Sequence, residues 1–267
     1  MKKTTKKKDN NQRARAIPAG LMECLAAIGI LVLVFVVIFC VRSCETAWGS
    51  ENGIFEDTLS PSKNSPTTTV LTPIPAEDIS YPLTITDGVT LDKIYTATGY
   101  FPEDGSDEAM ENVLAAKLTN TSGNTLEYLT FTLTVNGETY PFAAATVPGG
   151  KSVYVFNSAR KSAPDAVTAL AGEAEIEIYF AEEPSAEHDS LSYAVQNGTV
   201  VVTNISDKDI QSDIVVYYKS TAENGYLGGI TYRFRISGGL AAGKSFNAYA
   251  PHAYAHMTEI MFVQYEE

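Results

Sequence analysis

The chain has 267 residues and a net charge of −13, which leaves room for two globular units and disfavours binding to nucleic acid or anionic lipid. The charge is unevenly distributed, because residues 1–20 hold seven basic residues and one acidic residue, a local charge of +6. Since residues 21–44 are neutral as a group, residues 45–267 carry −19. Nucleic acid is therefore not an expected partner.

An uncharged apolar run extends from Leu25 to Val41, and the apolar residues before it bring it to the length of one bilayer crossing. We predict a transmembrane helix over residues 21–43, whose partner is the lipid bilayer. Most basic residues precede the helix, so the positive-inside rule places residues 1–20 in the cytoplasm and the rest outside the cell membrane. A cleaved signal peptide is the alternative, but its apolar core spans only roughly 7–15 residues.

The segment that follows, residues 44–80, is rich in Ser, Thr and Pro and shows no periodic apolar pattern. This composition predicts a disordered linker. Cysteine occurs only as Cys24, Cys40 and Cys44, so no disulfide is expected beyond the membrane. The exterior region must then be stabilised by burial of an apolar core.

From Tyr81 onward apolar and polar residues alternate, which is typical of half-buried β-strands. The alternation is clear at residues 129–135 and 230–236. It also occurs at residues 176–180, where the isoleucines are expected to face the core. These patterns predict an all-β fold.

Short motifs recur in the same order in two copies, and a period above 50 residues predicts duplicated domains. The matching pairs are Thr-Asn-x-Ser at 119–122 and 203–206, Asn-Gly at 136–137 and 224–225, and Gly-Lys-Ser at 150–152 and 243–245. The Asn-Gly pairs predict type I′ hairpin turns. We predict two tandem immunoglobulin-like β-sandwich domains, residues 81–183 and 184–267.

The order of these motifs, with Gly-Lys-Ser preceding an aromatic strand, gives a family resemblance. Residues 111–157 and 198–250 resemble the FxLYD-type, immunoglobulin-like β-sandwich modules of bacterial membrane-anchored envelope proteins. The strand at residues 214–219 lacks the acidic end of the family pattern. The resemblance implies a surface-anchored sandwich in a Gram-positive-like bacterium, and it implies no catalytic residue.

One stretch has the chemistry of a metal site. Glu103, Asp104, Asp107 and Glu108 place four carboxylates around a glycine, which suits a hard cation such as calcium. The spacing matches no EF-hand loop, and an exposed acidic turn is the alternative interpretation. The stretch is the candidate calcium site.

Histidines and sequons lead to structural expectations. His252 and His256 have HxxxH spacing, which brings two ligands together on a helix but not on a strand, so they are expected to be loop residues. Asn120, Asn197 and Asn204 begin N-x-S/T sequences. We interpret them as turn and strand-end residues whose side chains cap the main chain.

The sequence contains no G-x-S-x-G motif, no phosphate-binding loop and no cysteine after Cys44, so neither enzyme activity nor a cofactor is expected. The predicted function is a non-catalytic binding, adhesion or envelope scaffold module whose partner is an envelope protein or glycan. One alternative is a pilin-like or secretion-associated surface subunit, although Glu23 follows Gly20 by three residues rather than five. The other is a cell-wall-acting enzyme, which the missing motifs oppose. The oligomeric state is not specified by the sequence.

Overall fold

The computed structural model describes residues 69–106 and 108–266. These residues form strands, turns and loops, and they include no helix that is long and apolar enough to span a bilayer. The predicted basic tail, transmembrane helix and linker residues up to 68 lie outside the described ranges. The all-β class predicted from the sequence is confirmed. The strands are β1 (Val70–Pro73), β2 (Leu83–Thr86), β3 (Val89–Tyr100), β4 (Ala109–Asn120), β5 (Leu126–Val135), β6 (Glu138–Val147), β7 (Ser152–Phe156), β8 (Leu170–Tyr179), β9 (Leu191–Gln196), β10 (Thr199–Asn204), β11 (Asp213–Ala222), β12 (Gly225–Ile236), β13 (Ser245–Tyr249) and β14 (Thr258–Glu266).

The described strands form three sheets. The largest has the order β1-β3-β4-β7-β12-β11-β14, with β2 also paired to β3. The other two have the orders β13-β10-β9 and β6-β5-β8. Neighbouring strands are antiparallel except β7 and β12, which pair in parallel.

Two stretches of chain, which we call the first half (residues 69–183) and the second half (residues 184–266), pair their strands alike. In the first half β4 lies between β3 and β7, and β5 lies between β6 and β8. In the second half β10 lies between β9 and β13, and β11 lies between β12 and β14. In each half a cluster of apolar side chains lies between strands of the largest sheet and strands of one smaller sheet. The arrangement is β-sandwich-like.

Matched asparagines close the end of β4 and of β10. Asn120 is 1 % exposed, and its Nδ2 donates to the carbonyls of Asn124 and Val147 at 2.9 and 2.7 Å. Asn204 is fully buried, and its Nδ2 donates to the carbonyls of Lys208 and Leu240, both at 2.8 Å. Each Oδ1 also accepts the N–H of the serine two residues later at 3.0 Å. The capping role predicted for these two asparagines is confirmed.

The largest sheet crosses from one half to the other. Val153 and Tyr154 of β7 pair with Tyr226 and Leu227 of β12. The predicted boundary at residues 183–184 falls in the loop between β8 and β9, away from this crossing. The described residues belong to one compact unit. The two predicted domains are thus joined by main-chain pairing and not only by the loop.

The start of the first half differs from the predicted linker. Residues 44–80 were expected to lack structure, but Val70–Pro73 pairs with β3 and Ile74 is 4 % exposed in the core. A strand of four residues that ends at Pro73 and is followed by Pro75 carries little periodic signal of its own. Its pairing is supplied by β3, whose edge it covers.

The inward face of β8 also differs from the prediction. Ile176 and Ile178 are each 46 % exposed, because a β-bulge places Ala174 opposite Phe131 and Ile176 opposite Thr130. An extra residue at this point reverses the face to which later side chains point. The alternation after the bulge is therefore displaced, and Tyr179 packs against the core instead.

Of the two predicted hairpin turns, one has the expected residues. Asn136 and Gly137 connect β5 to β6 with φ of 52° and 86°, which fits type I′. In the other hairpin Ala222 pairs directly with Gly225, so the turn residues are Glu223 and Asn224. The predicted turn at Asn224-Gly225 was wrong by one residue, and Gly225 instead begins β12.

Candidate functional site

The predicted calcium residues do not form one group. Asp104 and Glu108 both accept hydrogen bonds from the Arg160 guanidinium, which lies 4.3 Å from the centre of the Phe101 ring. Hydrogen bonds from Ser106, and secondarily Arg160, lower the pKa of Asp104. Both carboxylates are therefore already paired with a cation.

Of the other two predicted ligands, Glu103 binds main-chain N–H groups instead, and Asp107 lies outside the described residues. Within residues 69–106 and 108–266, no three His, Cys, Asp or Glu side chains are grouped as a metal site would require. The calcium site stays a prediction.

Glu103 binds main-chain groups from both halves. Its carboxylate accepts the N–H of Phe156 in β7 at 2.7 Å and the N–H of Gly229 in β12 at 2.8 and 3.0 Å. The residue is half-buried at the crossing of the two halves. Burial raises the pKa of Glu103 to about 7, although these hydrogen bonds and Lys219 favour the ionised form.

Lys219 is the counterpart of Glu103 from the second half, and it is fully buried. Its Nζ donates to the carbonyls of Ala145 and Ile230 at 2.8 Å and to that of Gly229 at 3.3 Å. An ammonium group has three donors, so this arrangement satisfies all of them. Burial lowers the pKa of Lys219 to about 7, and the charge of Glu103 opposes this shift.

The main chain around these charges is tightly packed. A Cβ at Gly229 would lie 2.0 Å from the carbonyl oxygen of Ala143 in β6, so only glycine allows β12 to approach β6 this closely. Thr146 follows the carbonyl that Lys219 binds and adopts a φ of 49°, which is costly for a β-branched residue. Glu103, Lys219 and Gly229 thus form a hydrogen-bonded polar contact between the halves, which we call the junction.

Sequence reasoning did not identify Lys219. Its one signal is a lysine directly after five apolar or aromatic residues, Ile214-Val215-Val216-Tyr217-Tyr218, in a strand of the second half. A lysine among buried neighbours needs several acceptors. Which acceptors these are depends on β6 and β12, so the pairing with Glu103 could not be predicted.

The histidines lie in turns and loops, as predicted. His252 stacks on the ring of Tyr232 with 4.4 Å between ring centres. His256 has a φ of 64° in the turn before β14. His188 meets the ring of Tyr193 edge to face at 5.6 Å.

A groove of about 470 Å³ opens between β9 and β14 in the second half. It is lined by His188, Leu191, Ser192, Tyr193, Val195, Thr258, Glu259 and Ile260. β9 is an edge strand of its sheet and β14 is an edge strand of the largest sheet, so the groove lies at an open side of the sandwich. Its lining is mixed, with apolar Val195 and Ile260 beside polar groups of Ser192, Thr258 and Glu259. One end is closed, because the N–H of Val263 in β14 donates to the Ser185 carbonyl at 2.9 Å. The unpaired edge of β9 beyond it suits the binding of an extended chain.

Comparison of the chain with protein-family models, curated proteins and solved structures found no match.

Proposed function

We propose that the chain is a membrane-tethered, non-catalytic binding or scaffold module of the cell exterior. The basic residues 1–20 are cytoplasmic, residues 21–43 cross the bilayer, and a linker carries two tandem immunoglobulin-like sandwiches that arose by duplication. The matched motifs, the matched strand pairing and the two capping asparagines support the duplication. The charge of −19 after the membrane segment fits a soluble exterior region.

The observation that carries the non-catalytic part is the use made of the buried ionisable groups. Glu103 and Lys219 have the shifted pKa values that mark many active sites. Yet both side chains are occupied by main-chain N–H and C=O groups of neighbouring strands. They fasten the two halves together, which is a structural role.

Thiol labelling in a Cys44→Ser chain tests the topology, because no cysteine follows Cys44 and the substitution removes the one native thiol that the proposal places outside the bilayer. We expect Asn247→Cys in β13 to react with a membrane-impermeant maleimide on intact cells. The matched control, Gln12→Cys in the basic tail, should react only after permeabilisation. The opposite pattern would overturn the proposed orientation.

Incubation with cell-wall material tests the absence of catalysis. Full-length protein in detergent should leave cell-wall glycan and peptide unchanged in mass, at any pH between 5 and 9. Release of a soluble fragment that requires the folded protein would show an enzyme instead.

A further inference from the structure

In the first half, the side of the sandwich that corresponds to the groove is closed by β2. Leu83 and Thr84 of β2 pair with Leu91 and Thr90 of β3. Ile85, 8 % exposed, extends its side chain into the core. The Thr86 hydroxyl donates to the Glu177 carboxylate at 2.6 Å, so β2 connects β3 to β8.

The contact of Ile85 locates the covered position on β8. Its Cδ1 lies 2.4 Å from where a Cβ at Gly172 would stand, so it packs directly on the main chain of that glycine. Leu133 of β5 pairs with Gly172 and lies beside the same contact. One aliphatic side chain of β2 thus fills the space between the two layers.

The second half has the same positions without the covering strand. Thr90 of β3 pairs with Thr119 of β4, which directly precedes the first capping asparagine. Ser192 of β9 pairs in the same way with Thr203 of β10, which directly precedes the second. Residues 191–193 of β9 therefore correspond to residues 89–91 of β3, which β2 covers. Among the described strands, β9 pairs only with β10.

The β14 side of the groove matches in the same way. Leu133 of β5 and Ser220 of β11 occupy equivalent positions, because each lies two residues before the last pair of its hairpin, Val135 with Glu138 and Ala222 with Gly225. Leu133 pairs with Gly172 and Ser220 pairs with Thr258. Thr258 therefore corresponds to Gly172, the residue on which Ile85 packs. Its side chain takes up part of the space that Ile85 fills in the first half, and the rest of that space is the groove that Thr258 lines.

We propose that the groove between β9 and β14 accepts an extended segment of a partner polypeptide, which pairs antiparallel with β9 and inserts an aliphatic side chain between the layers. This inference rests on the proposed function as a binding module. Main-chain hydrogen bonds to the edge of β9 supply affinity, and the half-buried Val195 and Ile260 select apolar side chains.

The partner segment has a defined chemistry. It carries apolar residues at alternate positions, as Leu83 and Ile85 do, because alternate side chains of a strand point to one face. Glu187 and Asp189 lie immediately before β9, so basic residues beside the apolar ones are favoured. A second copy is a poorer occupant, since its own β2 is already paired and its Ile85 is buried.

The probe is a fluorescent peptide that copies residues 82–87 of this chain, Pro-Leu-Thr-Ile-Thr-Asp, with two lysines added at each end. Full-length protein in detergent is titrated into it, and anisotropy is recorded. We expect saturable binding. A peptide with Asp in place of its Ile should bind at least about tenfold more weakly, and equal binding of the two peptides would overturn the proposal.

Matched variants of β9 locate the binding. Val195→Arg places a charge in the groove, whereas Ala194→Arg places the same charge on the exposed opposite face of the strand. The first should lose binding by at least about tenfold and the second should keep it. Equal loss in both, or none in either, would contradict the proposed site.

Thr258→Trp provides a second test that does not depend on the folding of Val195→Arg. The indole fills the groove from the β14 side, so binding should again be lost while the circular dichroism spectrum is unchanged.

Sedimentation of the protein alone decides whether a partner polypeptide or a second copy of this chain occupies the groove. A dimer that Val195→Arg converts to monomer would show that a second copy fills the groove, and would overturn the partner proposal.

These outcomes are separable from failure of the proposed function. If the peptide does not bind while Asn247→Cys is labelled from outside, only the strand-accepting groove is wrong. If Asn247→Cys is labelled only from the cytoplasm, the proposed exterior function fails whatever the peptide does.

Discussion

Glu103 and Lys219 come from different halves of the chain and bind opposite ends of the same residue. The Glu103 carboxylate accepts the N–H of Gly229 at 2.8 Å, and the Lys219 ammonium donates to its carbonyl at 3.3 Å. The half-buried carboxylate and the buried ammonium group thus fix one residue of β12 against the first half. Removing one charge leaves the other without its partner in a poorly solvated site.

We expect a strong energetic coupling between the two residues. Lys219→Met should lower the free energy of unfolding by about 3–5 kcal/mol, because three carbonyls lose the hydrogen bond from Nζ and Glu103 loses the opposing charge. Glu103→Gln should also destabilise. The double variant should cost less than the sum of the single variants, measured by urea denaturation of the full-length protein in detergent. Strict additivity would mean that the two charges do not interact.

The free energy of unfolding of the wild type, measured relative to the variant that carries both Lys219→Met and Glu103→Gln, should reach its minimum near neutral pH. The pKa of Glu103 is raised to about 7, so the folded state holds its proton more tightly and stability falls as the pH rises toward 7. The pKa of Lys219 is lowered to about 7, so the folded state releases its proton more readily and stability rises above pH 7. Each change should amount to on the order of 1–3 kcal/mol. Chemical denaturation between pH 5 and 10 measures it, and parallel profiles for wild type and double variant would contradict it.

Gly225→Ala should destabilise more than Gly137→Ala. A Cβ at Gly225 would lie 2.5 Å from the carbonyl oxygen of Ser152 in β7, and two strand backbones cannot separate here without breaking the sheet. We expect a cost of about 2–3 kcal/mol. Gly137 has open space around it and a φ of 86°, so alanine there meets only backbone strain of about 1 kcal/mol.

The same melts test whether the halves unfold together. Because β7 and β12 share one sheet, we expect a single thermal transition in the wild type, followed by circular dichroism. Two transitions, of which Gly225→Ala shifted only the second, would show independent domains divided at residues 183–184.

The capping asparagines should be equally important in the two halves. Asn120→Ala and Asn204→Ala each remove a buried amide that donates to two carbonyls and accepts a serine N–H, so each should cost about 2–3 kcal/mol. The control is Asn197→Ala, since Asn197 is exposed and accepts one N–H, from Ala255 at 3.2 Å. Its cost should stay below about 1 kcal/mol. A cost in only one half would show that the two caps are not equivalent.

Calcium should have little effect on the wild-type protein. Arg160 already pairs with Asp104 and Glu108, so a cation would have to displace the guanidinium. We expect no saturable shift in the melting temperature up to millimolar calcium. Arg160→Gln frees both carboxylates and should gain a measurable shift. A saturable shift in the wild type would restore the predicted calcium site.

A structural feature could be predicted from the sequence where the interactions that determine it are local. The inward residues of β5, from Leu129 to Val135, alternate without interruption and are at most 1 % exposed, so their period alone predicts the strand and its face. Ile176 and Ile178 have the same period. They face outward because the bulge in β8 forms only against β5, and no local pattern encodes it.

The candidate sites depended even more on partners distant in sequence. Glu103 belongs by composition to an acidic turn, and its orientation toward the junction is set by N–H groups of β7 and β12. The groove arises because, among the described strands, none pairs with the outer edge of β9 as β2 pairs with β3. Composition and period describe the segments that are present, so a missing strand becomes visible only once the two halves are compared in space.

The parallel pairing of β7 with β12 also determines the order in which the chain can become complete. Synthesis proceeds from the N-terminus, and β8–β11 lie between these two strands in the chain. The edge of β7 therefore waits unpaired, with Val153 and Val155 beside it, until β12 arrives. Contacts this distant in sequence form slowly, and an open strand edge is a site for pairing between nascent chains. The step at which β12 docks is thus where folding competes with aggregation.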